Sequence, residues 1–294
     1  MFGQHLSLNT YHCHLPMLPA LFDTVAHDYD TVFTETATGR MQRERVWAAT
    51  PPPPPPVGAG AGVALDLNCG TGADALWLAR QGYRVLATDI SPKMVAVTRA
   101  KLLAAGLLEQ AQAAVLDLRD LSAASLQQAG LTEPPVLVLS NFGGLNCLSP
   151  ADLQDFGKKL PDALAPGGHF VAVVMGRFCW QESLYFLWKG RWRTAFRRLR
   201  RGAVEARLDE RTTVPTWYYT PQEFCRFFPD LEVEMVRPVG FWLPPSSLDG
   251  AFRRWPRLLR GLNWAERKCA AWAVLAGASD HFLVVFKPAH SPRS

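Results

Sequence analysis

The sequence lacks the features that mark membrane-spanning and disulfide-stabilised proteins. No uncharged apolar run approaches the roughly 18 residues that a membrane-spanning helix needs. The N-terminal stretch MFGQHLSLNTYHCHLPMLP has no basic region followed by an apolar block, so it does not resemble a secretory signal. The six cysteines form no CxxC pair, which favours reduced thiols. We therefore expect a cytoplasmic protein without a transmembrane segment.

A complete set of metal ligands is also missing. Tyr11-His12-Cys13-His14 offers imidazole and thiol groups, but no second cluster completes a tetrahedral site, so we predict no metal. No internal repeat is evident. The composition, with 48% apolar and 19% charged residues, is ordinary for a globular protein. A chain of 294 residues is long enough for one domain with insertions.

Between residues 62 and 175, short apolar runs alternate with helical stretches. The predicted strands are 63–67, 84–88, 112–116, 135–140 and 168–175, with helices at 73–81, 92–105, 121–128 and 151–164. Further strands are expected at 231–239 and 281–287. Nearly continuous apolar strands that alternate with helices are typical of a parallel sheet covered on both faces. The predicted class is therefore α/β and doubly wound.

The flanking segments divide the chain further. We expect a helical lid at 1–50, a Pro/Gly-rich linker at 51–61, a cofactor-binding core at 62–177, a cap insertion at 178–230, and the last strands at 231–294 with a second cap insertion at 241–279. The six consecutive prolines of the linker favour a polyproline II spacer, with a docking site for a Pro-recognising partner as the alternative. The net charge of +5 is concentrated in the two insertions, because 191–201 holds six arginines and 253–260 holds four.

Residues 63–91 are the most informative segment. An apolar run ends in Asp66-Leu67-Asn68-Cys69-Gly70-Thr71-Gly72, a helix follows, and a second apolar run stops on Asp89. Glycines let the backbone approach a ligand, and the start of the helix offers free N–H groups to a charged group. Asp89 is placed to accept both hydroxyls of a ribose. GxGxxG is absent, so this pattern alone indicates a nucleoside-type ligand without naming it.

Over roughly residues 20–175 and the last strand, the chain resembles a class I S-adenosylmethionine-dependent methyltransferase. DLNCGTG and ATDIS resemble the first two motifs of the family, VLDLRDL (115–121) the third, SNFGGLN (140–146) the fourth, and LAPGGHFV (164–171) the turn before strand five. The resemblance implies a Rossmann-like methyltransferase fold with a mostly parallel seven-stranded sheet. It also implies S-adenosylmethionine as cofactor and S-adenosylhomocysteine as product.

The same resemblance implies the residues that bind the cofactor. They are Tyr29, Asp66, Asn68, Gly70, Gly72, Asp89, Ile90, Met94, Asp117, Leu118 and Asn141. Asp117 is expected at the adenine amino group, with Asp120 as an alternative, and Tyr29 is expected to close over the cofactor. Asp66 could instead cap a helix or face water. The family usually has Gly at the position of Asn68, but Asn tolerates a left-handed backbone better than most residues.

The reaction makes few demands on catalytic side chains. Methyl transfer from a sulfonium is an in-line displacement, so the enzyme contributes chiefly alignment and desolvation. A general base is needed only when the acceptor arrives protonated. The candidates near the expected mouth of the site are His27, Tyr29, Asn141, Tyr185, Tyr218 and Tyr219, each of which could equally be a packing or lid residue.

The acceptor is the least determined part of the function. The fourth motif is not the Asn/Asp-Pro-Pro-aromatic signature of amino-methylating nucleic-acid enzymes. The basic, aromatic segment 178–201 is compatible with a cap helix whose arginines face solvent and whose aromatics join the core, with a nucleic-acid surface, with an anionic membrane, and with a small acidic or lipid-like substrate. We predict methylation of a small organic molecule at O, N or C. The alternatives are a non-methylating S-adenosylmethionine-using transferase or cyclase, an RNA methyltransferase, and a non-catalytic binding module.

Overall fold

The computed structural model describes residues 19–53, 62–209, 211–245, 249–252 and 254–289. Its strands are β1 (Val63–Leu67), β2 (Arg84–Asp89), β3 (Ala111–Val115), β4 (Leu137–Ser140), β5 (His169–Met175), β6 (Val204–Arg207), β7 (Thr213–Thr216), β8 (Leu231–Val239) and β9 (His281–Pro288). Seven of them form one sheet in the order β3–β2–β1–β4–β5–β9–β8. In this sheet β9 runs antiparallel to both of its neighbours, and β1–β5 are parallel. Strands β6 and β7 form a separate hairpin.

The helices lie between these strands and before them. They are α1 (Pro19–Asp23), α2 (Ala37–Ala49), α3 (Ala73–Arg80), α4 (Pro92–Ala104), α5 (Ala123–Gln128), α6 (Pro150–Ala163), α7 (Trp180–Trp188), α8 (Trp192–Ala195), α9 (Pro221–Cys225), α10 (Asp249–Phe252) and α11 (Pro256–Cys269). Side-chain caps start several of them; for example, the Ser91 hydroxyl accepts from the Met94 N–H at the start of α4. No helix in the described part of the chain is long and apolar enough to cross a membrane.

The alternation of side chains along the inner strands explains why these strands are mostly apolar. In β5, Phe170, Ala172 and Val174 point into one buried cluster, whereas Val171 and Val173 point into another. Helix α6 covers the first cluster, and α3 and α4 cover the second. A strand that is buried on both faces accepts a polar residue only where that residue finds a partner, as near the carboxyl ends of β1, β2 and β4.

The predicted doubly wound, mostly parallel seven-stranded sheet is confirmed. The strand expected at 135–140 begins two residues later, at Leu137. The N-terminal stretch is not one continuous helix, because a π-helical turn at Asp30–Thr34 separates α1 from α2. The Tyr11–His14 cluster and residues 54–61 of the linker lie outside the described residues.

Candidate active site

A cavity of about 700 Å³ opens at the carboxyl ends of the central strands. This is the edge where ligands bind in open α/β sheets, and the volume is in the range of small-molecule sites. Nine of the predicted cofactor residues line it: Tyr29, Asn68, Gly70, Asp89, Ile90, Met94, Asp117, Leu118 and Asn141. The topology thus brings together residues that are up to 112 positions apart in the sequence.

Two predicted cofactor residues, Asp66 and Gly72, do not line the cavity. Asp66 is buried, and burial together with the negative charge of Asp74 raises its pKa well above the usual range. Gly72 has φ +80°, and a Cβ there would lie 2.6 Å from Cγ2 of Thr98. The sequence therefore needs glycine at this position to close the turn against α4.

Asp89 organises the turn and faces the cavity. Its Oδ2 accepts from the Gly70 N–H at 2.9 Å, and its Oδ1 accepts from the Ser91 N–H at 2.9 Å. Burial raises the pKa of Asp89, and the two backbone donors counteract it. Each carboxylate oxygen has a second lone pair, so the group can accept two more hydrogen bonds. That capacity matches a pair of neighbouring hydroxyls.

Asn68 adopts the left-handed conformation expected for its position, with φ 54°. Its Nδ2 donates to Oγ of Ser140 at 3.0 Å. A Cβ on Gly144 would lie 2.3 Å from Cγ of Asn68, so the Asn68 side chain occupies the space above that glycine. The asparagine and the glycine are therefore sterically matched.

Asp117 and Asp120 are distinguished by their positions. Asp117 lines the cavity, whereas Asp120 is exposed to solvent and does not. Both Asp117 oxygens accept from the Arg119 guanidinium, at 3.0 and 2.9 Å from Nε. Leu118, in the short turn that Asp117 caps, is buried beside it. Asp117 is consequently the carboxylate available at this end of the cavity.

A buried polar cluster joins the N-terminal helix α2 to the loop after β4. Asp74 accepts from Trp47 Nε1 at 2.7 Å and from Asn141 Nδ2 at 3.0 Å, and it forms an ion pair with Arg43. Nε of Arg43 and Oδ1 of Asn141 are buried without a hydrogen-bond partner among the described residues. Both residues line the cavity. One unused donor and one unused acceptor thus lie close to the glycine loop.

The N-terminal segment (residues 19–53) lies over the cavity and is held by polar contacts. Asp30 accepts from the Thr71 hydroxyl at 2.6 Å and pairs with Lys101, while Asp23 pairs with the Ser91 hydroxyl. Burial alone would raise the pKa of Asp30, but hydrogen bonds from Lys101 and Thr71 lower it below its usual value. These contacts bring Tyr29 over the loop, where burial raises the pKa of its hydroxyl to about 12.

Residues 64–168 match the family model described as a methyltransferase domain. The chain therefore contains a methyltransferase domain over these residues. Comparison with curated proteins gives no match.

Solved structures agree with the fold of the methyltransferase domain. The CcbJ methyltransferase from Streptomyces caelestis is 16% identical, with 92% of this chain and 98% of that chain covered and a TM-score of 0.55. The DhpI–SAM–HEP complex gives 15% identity, coverages of 92% and 95%, and a TM-score of 0.53. The complex of the Haloferax volcanii Trm112 methyltransferase activator with a putative methyltransferase gives 17% identity, covers 94% of this chain and 99% of that chain, and has a TM-score of 0.54.

At the opposite side of the cavity from α4, the chain presents a histidine that the sequence analysis did not identify. His281, the first residue of β9, pairs with Met175 at the end of β5 and lines the cavity. Its Nδ1 lies 3.2 Å from Oδ2 of Asp280, and its ring meets the edge of Phe142 at 5.3 Å between centroids. The Asp-His pair at the start of the predicted last strand was the available signal.

Arg198 lies at the centre of a buried ion network behind His281. Its guanidinium pairs with Glu182 and lies 2.7 Å from Oδ1 of Asp280, and Arg197 donates to Glu182 at 2.8 Å. Burial would raise the pKa of Asp280, but the neighbouring His281 and Arg198 side chains hold it well below its usual range. Four charges thus cancel inside the protein. The interpretation of 178–201 as a cap with solvent-facing arginines is wrong for Arg198.

The six catalytic candidates differ in whether they line the cavity. His27 is 98% exposed and pairs with Asp28, and it does not line the cavity. Tyr185 and Tyr219 also do not line it, and the backbone of Tyr219 instead bridges to Gly176. Tyr218 does line the cavity, but burial raises the pKa of its hydroxyl. Of the six candidates, Tyr29, Asn141 and Tyr218 therefore reach the site.

Proposed function

We propose that the protein transfers the methyl group of S-adenosylmethionine to a small organic acceptor bound in the same cavity. The single observation that carries the proposal is the continuity of this cavity. It runs from Asp117 and Asp89 at one end, past Gly70 and Asn141, to His281 at the other. A cofactor and an acceptor can therefore meet without a channel between separate sites.

The chemistry of the lining residues supports S-adenosylmethionine as the cofactor. Asp89 would accept the ribose hydroxyls, Asp117 would accept from the adenine amino group, and Ile90 and Met94 would pack against the adenine ring. The unpartnered Oδ1 of Asn141 and Nε of Arg43 suit the ammonium and carboxylate of the methionine moiety. In this orientation the sulfonium would face the part of the cavity that Phe142 and His281 line.

We propose that His281 accepts the proton when the acceptor reacts as a protonated group. Nδ1 lies 3.2 Å from Oδ2 of Asp280, and a hydrogen bond between them would leave Nε2 as the basic nitrogen. Cys147 also lines the cavity, but burial and the charge of Asp89 raise the pKa of its thiol to about 12, so it does not compete as a nucleophile. The N-terminal segment acts as a lid that excludes water from the displacement.

The acceptor side favours a molecule with an apolar part. Phe142, Met175, Val214 and Tyr218 line this side of the cavity. The buried arginine of the cap is already neutralised by carboxylates, so its charge does not indicate an acidic acceptor. Because cofactor and acceptor share about 700 Å³, the reactive portion of the acceptor must be small.

The test is incubation of the protein with methyl-labelled S-adenosylmethionine and a fractionated metabolite extract, followed by identification of the labelled product. A labelled small molecule is the expected result. Thioether formation without any extract would instead indicate non-methylating chemistry, and tight cofactor binding without turnover would indicate a binding module.

The role of His281 has its own control. His281→Gln should lower turnover by roughly 10²–10⁴-fold while the affinity for S-adenosylhomocysteine stays unchanged. His169→Gln removes a histidine that does not line the cavity and should behave as wild type. Equal activity of the two variants would remove His281 from the reaction.

A further inference from the structure

Helices α7 and α8 and the turn after them expose an unusual number of large apolar side chains. Trp188 is 77% exposed and Trp192 is 63% exposed. The other exposed apolar residues of this segment are Leu184, Leu187, Phe196 and Leu199. A folded domain rarely leaves this many large apolar residues in water within such a short segment unless the surface binds something.

The same segment carries exposed positive charge that no nearby acid in the sequence balances. Its exposed bases are Lys189, Arg191, Arg193, Arg200 and Arg201. The sequence contains no acidic residue between Glu182 and Glu205. Glu182 itself is buried and occupied by the two inward-facing arginines. The segment therefore presents apolar groups and cations together.

Helix α11 repeats this arrangement. Its outer side carries Trp264, which is 64% exposed, and a row of bases. Those bases are Arg257, Arg260, Arg267 and Lys268. Glu266, the single acid of this helix, is buried and accepts from the N–H groups of Gly240 and Trp242 at 2.8 and 2.7 Å.

The two regions are attached to the same short loop. Trp180 and Gln181, at the start of α7, both donate to the carbonyl of Phe241, at 2.7 and 2.8 Å. Glu266 of α11 binds the N–H groups of this same loop. Both basic, apolar regions are thus anchored to one loop, and we name their exposed residues (184–201 and 257–268) together the Trp/Arg surface.

We propose that the Trp/Arg surface docks the protein onto an anionic lipid membrane. Tryptophan and leucine side chains insert at the level of the headgroups, while arginines bind the lipid phosphates. The exposed leucines distinguish this partner from nucleic acid, since bases stack on aromatic rings but gain little from aliphatic chains. A second copy of this chain would bring two faces of like charge together, which opposes self-association.

This inference does not depend on the proposed reaction, and it adds a route for the acceptor. Arg197 and Arg198 follow Phe196 at the end of α8, and both line the cavity. The segment that carries the Trp/Arg surface therefore also forms part of the cavity wall. An amphipathic acceptor held in the lipid surface would thus meet the cavity where the protein docks.

The test measures flotation of the purified protein with vesicles of phosphatidylcholine, with and without phosphatidylglycerol. We expect binding to the anionic vesicles that weakens with added salt, since screening reduces the attraction. Arg191→Gln/Arg193→Gln should weaken binding roughly 30-fold, because each base near such a surface contributes about fivefold. The matched control Arg80→Gln/Lys158→Gln makes the same change in net charge at exposed positions of α3 and α6 and should change binding less than twofold.

The apolar half of the surface is tested separately. Trp188→Ala/Trp192→Ala should weaken vesicle binding at every salt concentration, whereas Leu103→Ala, at a 66% exposed site on α4, should not. Circular dichroism and thermal unfolding check that the variants fold. Failure to float with anionic vesicles overturns the proposal. Salt-sensitive binding of single-stranded RNA without flotation, or dimerisation lost in the same variants, would assign the surface to another partner and equally overturn it.

Discussion

Removing the Asp89 carboxylate should weaken cofactor binding in a way that depends on the ribose. A hydrogen bond to a charged acceptor contributes about 1.5–3 kcal/mol. In the wild-type protein, S-adenosylhomocysteine that lacks one ribose hydroxyl should therefore bind roughly ten- to 150-fold more weakly. Asp89→Ala should bind the complete ligand at least tenfold more weakly, about 1.4 kcal/mol.

The comparison of the two ligands separates ribose recognition from loop structure. Asp89 also accepts from the N–H groups of Gly70 and Ser91, so its removal disturbs the loop in addition to the ligand contact. The loop effect is common to both ligands, whereas the hydroxyl contact exists in only one. In Asp89→Ala the penalty for the missing hydroxyl should fall to about twofold or less.

Isothermal titration calorimetry with the two ligands and the two proteins measures all four affinities. An equal hydroxyl penalty in wild type and variant would refute the assignment, because the carboxylate would then not touch the ribose. The pH dependence gives a second check on the same group. Burial raises the pKa of Asp89, and a ligand that donates to the carboxylate binds the deprotonated form, so affinity should fall as the pH drops through that raised pKa.

Three further predictions concern the loops and the buried charges, each measured by urea unfolding. Gly72→Ala should cost more stability than Gly82→Ala, because both residues have positive φ but only at Gly72 would a Cβ meet another side chain; equal losses would contradict the steric argument. Gly144→Ala should be destabilising alone and nearly neutral together with Asn68→Gly, which frees the space it needs. Arg198→Met should cost about 3–5 kcal/mol at neutral pH, because it removes the buried cation that Glu182 and Asp280 share. That loss should shrink as the pH falls, since the two buried carboxylates then take up protons; a loss independent of pH would refute this explanation.

The parts of the site that could be predicted are those that the sheet itself positions. Asp89 and Asn141 directly follow or end apolar strands, and the carboxyl ends of parallel strands meet at one edge. Residues at the ends of different parallel strands therefore lie close together in the fold, even though they are far apart in the sequence. The same argument explains why the continuous apolar runs of β1 and β5 were recognisable as strands that are buried on both faces.

The parts that could not be predicted come from segments whose position depends on tertiary packing. Arg43 lies on α2, and an ion pair with Asp74 holds its side chain at the cavity. No local sequence pattern predicts that ion pair. Arg198 lies in a run of arginines that looks uniform in sequence, yet two buried carboxylates draw this one side chain inward. Hydrophobic periodicity predicts which face of a helix or strand is buried. It does not predict which charged side chain forms a buried ion pair.

The way in which the N-terminal segment is fastened also bears on the rate of turnover. Its contacts with the loop and α4 are an ion pair and hydroxyl–carboxylate hydrogen bonds at Asp30 and Asp23, with a small apolar cluster around Met94. Contacts of this kind break at low cost compared with those that hold α2 through Val46, Arg43 and Trp47, so the part of the segment before α2 can lift without global unfolding. Departure of S-adenosylhomocysteine would then wait for this opening, and the limiting step of the cycle would be a salt-sensitive movement rather than the transfer of the methyl group.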